Sequence, residues 1–223
     1  MSYTFHFIDV WRARDELLHG ALLTIQLSAI SMVISLILAI FGALARTSGP
    51  KWLRLTIAAY VEFIRNTPFL VQVFVIFFGL PEFGIRLDAD TGALIAMVLN
   101  GSAYTIEIVR AGIEAVSHGQ VEAAFALGLH RFQAFRHIVL PQALRAVFAP
   151  LGSQFILLML NSSIVSLIAA EELTAAAQNI QSRTFRSFEV YIVTIGIYLV
   201  LSIGFSAVFA ALNRAFFPRL ERR

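Results

Sequence analysis

Long uncharged stretches alternate with short charged ones along this chain. Residues 21–45 hold no charged side chain, and neither do residues 190–212. A helix rises about 1.5 Å per residue, so about 20 residues cross a hydrocarbon core of about 30 Å, and each run is long enough. Three further runs are apolar but carry polar residues. Residues 55–80 contain Glu62, Arg65, Pro68 and Gln72. Residues 91–113 contain Asn100, Glu107 and Arg110, and residues 143–170 contain Arg145, Gln154 and Asn161. The pattern predicts an all-α membrane protein of about five spanning helices in one domain over residues 1–223. The first run follows Arg12 and Arg14 and ends in Ala43-Leu44-Ala45, as a signal peptide would. A signal peptide's apolar region is only about 7–15 residues, so the run is read as a span.

Composition supports the same reading. The chain is 58% hydrophobic and 14% charged, where a soluble domain carries about 25% charged residues. With no cysteine, disulfides and thiolate metal sites are excluded. The net charge of +3 is too small to imply nucleic acid, and in a membrane protein the placement of lysine and arginine matters more than their sum. Five spans put the termini on opposite sides. One side collects eleven basic residues: Arg46, Lys51, Arg54, Arg110, Arg131, Arg136, Arg145, Arg214, Arg219, Arg222 and Arg223. The other collects five: Arg12, Arg14, Arg86, Arg183 and Arg186. The richer side is expected to be cytoplasmic, which puts the N-terminus outside and the C-terminus inside. Tyr3, Phe5, Phe7 and Trp11 suit either an interfacial segment or a plain tail.

The loop between the third and fourth spans, about residues 117–141, falls on the cytoplasmic side. Ser117 and Gln120 have capping-box spacing, which predicts a helix start. Gly128 is placed to end that helix. Ala123, Ala124 and Ala126 leave room for another backbone, and Pro141 suits the first turn of the next span. Local features leave two readings open, a connecting helix and a docking helix.

The loop reads Glu122-Ala123-Ala124, three residues, Gly128, nine residues, Ile138, one residue, Leu140-Pro141. This resembles the EAA motif of ABC-importer permease subunits, with the family's spacing. Glu62-Phe63-Ile64-Arg65-Asn66-Thr67-Pro68 with Gln72, the stretch from Ala103 to Ile113, Leu140-Pro141-Gln142-Ala143 and Glu172-Leu173-Thr174 are similar to the polar amino acid branch. The resemblance implies a type I importer permease in a bacterial inner membrane, with a cytoplasmic coupling helix and uptake of a polar amino acid. It implies that Glu122, Ala123, Ala124 and Gly128 couple the chain to ABC ATPase subunits, which hold ATP and magnesium while this chain binds no cofactor. It implies a second permease chain, identical or homologous, and an extracytoplasmic solute-binding protein.

Charges within spans default to a functional hypothesis. Glu62 and Arg65 stand three residues apart, as do Glu107 and Arg110, so each couple is expected to pair along one helix face. They serve either as structural ion pairs or as part of a path. Pro68 removes a backbone donor and is expected to kink its span. The freed backbone with Asn66 and Thr67 would line a polar cavity, and Asn161, Ser162 and Ser163 offer similar groups in the fourth span. Together they supply the donors and acceptors that an amino acid zwitterion needs; helix packing is the competing role. Thr24, Ser28, Ser31 and Ser35 form one stripe on the first span, a small-residue packing seam. Glu171 and Glu172 fall at the outer end of the fourth span, where a partner or substrate would pass.

Catalysis finds no support. No His-Glu-x-x-His pair and no phosphate loop occurs in the sequence. A serine hydrolase built on Gly152-Ser153 would need a histidine at membrane depth, and no span supplies one. A stand-alone channel or secondary transporter is the rival reading; it would need no docking helix and would be favoured by inverted repeats.

Overall fold

The computed structural model describes residues 4–217, and no strand occurs among them. Tyr3, Arg219, Arg222 and Arg223 lie outside the described residues. A short helix α1 (Ile8–Arg12) leads into α2 (Arg14–Ser48). Next come α3 (Lys51–Arg65) and α4 (Phe69–Phe74), which runs on through a π turn (Val75–Gly79) and a 3-10 turn (Leu80–Phe83). After α5 (Ala89–Glu114) the loop carries α6 (His118–Ala126) and α7 (Arg131–Ala134). A π turn (Phe135–Val139) joins α7 to α8 (Leu140–Val165), and α9 (Leu173–Thr184) and α10 (Ser187–Phe216) complete the chain.

Four helical stretches are long and apolar enough to cross a membrane: α2, α5, Arg131–Ile168 and α10. The run read as a span over residues 55–80 is broken: the chain bends by 108° between Lys51–Arg65 and Phe69–Phe83. The neighbours show that the broken pair still crosses. Ser35 Oγ donates to Val98 O at 3.1 Å, and Arg46 pairs with Glu107, so α2 and α5 run in the same direction. The chain between them must return across the same thickness. Gln72 meets Asn100, and Phe77 lies against Gly92, so Phe69–Phe83 runs antiparallel along α5. Likewise α8 runs back along α5, with Val147 against Gly112 and Leu158 against Gly101. α10 then runs back along α8, with Phe209 against Gly152 and Phe217 against Phe148. With the broken pair taken as one span, the described residues make five crossings. The end of α2, the loop with α6 and the end of α10 share one face, and α1, the turn before α5 and α9 share the other.

The packing follows from side-chain size. Thr24, Ser28, Ser31 and Ser35 are all buried on α2, the seam that the spacing predicts, and small side chains let helix backbones approach closely. Met32, Val73, Ala96, Met97, Phe155 and Leu158 fill the centre between α2, α4, α5 and α8. By contrast, only 6% of the most apolar window of α10 is buried, against 56% for α5. Ile195, Leu199, Val200 and Ile203 remain exposed on α10, a surface that needs lipid or another chain.

Candidate functional site

Two places gather the polar and exposed residues: the loop around α6, and a cavity beside the break between α3 and α4.

In the loop, α6 ends in a Schellman turn. Gly128 N donates to Phe125 O at 2.9 Å, and Leu129 N donates to Ala124 O at 3.1 Å. Gly128 has φ +82°, a left-handed conformation that side chains with a Cβ disfavour. The start differs from the expected capping box, because Ser117 makes no side-chain cap. The reciprocal box sits instead at α7, where His130 accepts from Gln133 N and Gln133 Oε1 accepts from His130 N. Glu122 and Ala123 face outward, whereas Ala124 is buried against its own chain. Sequence spacing does not reveal the exposed apolar residues beside them. Leu127 is 83% exposed, Phe132 64% and Phe125 46%. Large apolar side chains on a water-facing loop are the signal that points to them.

At the other place, Glu107 is a hub. It pairs with Arg46 from α2 and with Arg110 at 2.7 Å, and Arg65 approaches at 3.9 Å. The Glu107–Arg110 couple is therefore present, and Arg110 also reaches Glu114. The Glu62–Arg65 couple is absent. Glu62 instead accepts from Asn66 Nδ2 at 3.2 Å, while Arg65 turns to Glu107 and over the Tyr104 ring. The cause is the helix end at Arg65, which frees Asn66 to fold back as a cap. Glu62, Arg65, Asn66 and Tyr104 line a cavity of about 240 Å³. Arg65, Tyr104 and Glu107 continue into a second cavity of about 590 Å³ that reaches Pro150 and Gln154 on α8.

Asn66 and Thr67 sit in the break, as Pro68 led us to expect, but both are bonded to it. Asn66 Nδ2 donates to Glu62 O at 2.8 Å, and Thr67 Oγ1 to Phe63 O at 2.9 Å. In α8, Ser162 donates to Met159 O and Ser163 to Leu160 O. Asn161 is half-buried, and its side chain makes no hydrogen bond among the described residues. Of the two amides, Asn66 and Asn161, that of Asn161 is unspent among the described residues.

On the opposite face, Glu172 is buried rather than open to a partner. It caps α9 by accepting from Ala175 N at 2.8 Å, and it accepts from Tyr198 Oη at 2.7 Å. Burial pushes its carboxyl above the ordinary carboxylate range. Glu171 lines a small cavity of about 180 Å³ with Glu16, His19 and Asn179.

Residues 31–221 match the family model described as binding-protein-dependent transport system inner membrane component. The chain is 43% identical over 183 residues to the probable glutamine ABC transporter permease protein GlnM of Bacillus subtilis (strain 168), covering 82% of this chain and 85% of that one. It is 37% identical over 223 residues to the octopine transport system permease protein OccM of Rhizobium radiobacter, covering 96% and 90%. A solved amino acid ABC transporter with histidines superposes with a TM-score of 0.90 at 38% identity, over 96% of this chain and 100% of that chain.

Proposed function

The chain belongs to the family of binding-protein-dependent transport system inner membrane components, and on that premise we propose how its two candidate sites divide the work of an ABC importer permease. The face with α6 receives ATPase subunits. Those subunits hold ATP and magnesium, and this chain hydrolyses nothing itself. The apolar residues Phe125, Leu127 and Phe132, with the outward Glu122 and Ala123, supply the contact surface. Ala124 and Gly128 supply the shape, one by packing α6 onto the chain and the other by turning the backbone sharply. The observation that carries this reading is Leu127, 83% exposed at the end of a helix closed by a left-handed glycine.

This face lies inward. It gathers Arg46, Lys51, Arg54, Arg131, Arg136 and Arg214, and lysine and arginine mark the cytoplasmic side. The solute-binding protein then meets the face of α1 and α9. A second permease chain, identical or homologous, covers the unburied side of α10 and completes the path. The substrate is a polar amino acid. Asn161 offers a free amide, while Arg65, Glu62 and Asn66 offer a cation, an anion and an amide around one cavity. Ligands of this kind need donors and acceptors together. Asn66, Thr67, Ser162 and Ser163 take part through groups left over from their helix bonds. ATP-driven closure of the ATPases moves the permease chains as rigid bodies between two open states.

Co-purification with the amino-acid-importer ATPase encoded nearest to this chain tests the assignment. Wild type captures the ATPase and Gly128→Arg does not. If neither captures it while both stay folded, and wild-type proteoliposomes take up glutamine without any ATPase, the rival stand-alone transporter stands instead.

A further inference from the structure

The break between α3 and α4 is held from within by one side chain. Gln72 is buried, four residues beyond Pro68. The two hydrogens on its Nε2 reach back across the break to three acceptors, one of them shared: Ile64 O at 2.7 Å, Thr67 O at 3.0 Å and Thr67 Oγ1 at 2.9 Å. Its Oε1 accepts from Asn100 Nδ2 on α5 at 2.9 Å. Asn100 is likewise buried.

The chemistry explains why an amide stands there. A helix that stops at membrane depth leaves carbonyls that lipid cannot satisfy, each costing several kcal/mol. Asn66 and Thr67 cover the carbonyls of Glu62, Phe63 and Ile64. The carbonyl of Thr67 lies beyond their reach, and Gln72 supplies its donor. A carboxylate would repel these oxygens, and an apolar residue would leave Thr67 O bare. The carbonyls can only accept, so they turn Nε2 toward themselves, and Asn100 completes the amide by donating from α5 to the oxygen left on its other side. One group thereby fixes the angle of the break and ties that angle to α5.

We propose that Gln72, tied to α5 by Asn100, is a positioning residue for transport. It sets the 108° break and so holds Arg65 and Asn66, at the last turn of α3, against the polar cavity. The consequence for transport rests on the reading of that cavity as part of the substrate path; the consequence for the angle does not.

The test uses the cysteine-free chain with its ATPase partner in proteoliposomes, the solute-binding protein being added for uptake. Spin labels are placed at Thr56→Cys on α3 and Phe83→Cys at the end of the following segment, diluted with unlabelled chains. At about 1.5 Å per residue the two arms are about 15 and 22 Å long, so opening the bend by about 30° lengthens the distance by about 6 Å. Gln72→Met is expected to lengthen it by that order. Asn100→Leu leaves the cap but removes the tie between the break and α5, and is expected to broaden the distribution. The Michaelis constant for uptake of glutamine, or of whichever other polar amino acid the wild type transports, should rise about tenfold or more in Gln72→Met.

An unchanged distance in Gln72→Met overturns the proposal. If that variant fails to fold, an unchanged distribution in Asn100→Leu overturns it. A shifted distance with unchanged uptake keeps the positioning role and removes the cavity from the path.

Discussion

At Gly128 one backbone angle separates two effects that a single substitution would confuse. No atom lies within 4 Å of where a Cβ would stand, so alanine meets no clash there. It meets only the left-handed conformation, at about 1–2 kcal/mol. Gly128→Ala should therefore weaken ATPase capture partially, whereas Gly128→Arg adds a bulky charge to the docking face and should abolish it. Equal loss in both, read by co-purification yield, would mean that the turn alone matters. Glu107 gives a second case. Its side chain is 17% exposed beside Arg46, Arg65 and Arg110, so Glu107→Gln leaves three cations facing one another. Losing one partner of a largely buried pair costs about 3–5 kcal/mol, and the residual exposure sets the expectation near the lower end. Thermal unfolding in detergent should show it, and an unchanged midpoint would demote the hub to a surface feature. Of this cluster, spacing alone reveals Glu107 with Arg110, because both lie on one helix. Arg46 is invisible to spacing, since it comes from α2, and Glu62 with Arg65 misleads because α3 ends there.

Between elements, α5 packs on α8 through a glycine that leaves no room for a methyl group. A Cβ at Gly112 would lie 2.1 Å from Val147 Cγ1 and 3.2 Å from Ala143 O. Overpacking of this kind costs about 1–3 kcal/mol, so Gly112→Ala should lower the unfolding midpoint. Adding Val147→Ala removes the nearest atom and should recover much of the loss; a double variant no better than the single one would locate the strain in the backbone instead. Long uncharged runs made α2 and α10 legible, because a helix in lipid must be apolar nearly all round. The break in the second crossing was legible only as a kink at Pro68. Its size depends on Gln72 and Asn100, 28 residues apart, and no local pattern joins them. The helix α9 went unread, although Leu173, Ala176, Ala177 and Ile180 repeat at helical spacing and are all buried. The run is too short and too polar to announce a span, so it passes for a loop.

For the molecule as a whole, the two faces differ in kind. One carries the end of α2, the loop with α6 and the end of α10; the other carries the turn before α5 and the capped helix α9. Parallel α2 and α5 force this division, because Ser35 meets Val98 and Arg46 meets Glu107 along the same direction. The helices thus fix which segments lie together, and the arginines argue which face is inside. A mechanism in which ATPases dock on α6 requires that face to be cytoplasmic. The absence of native cysteine makes the point directly measurable. Ile85 on the turn before α5 is 51% exposed, and His118 at the start of α6 is also exposed. In intact cells a membrane-impermeant maleimide should label Ile85→Cys and spare His118→Cys, which should react only after permeabilisation. The reverse pattern would put α6 outside, where no ATP is available to a docked partner, and the coupling role of Gly128 and Leu127 would fall with it.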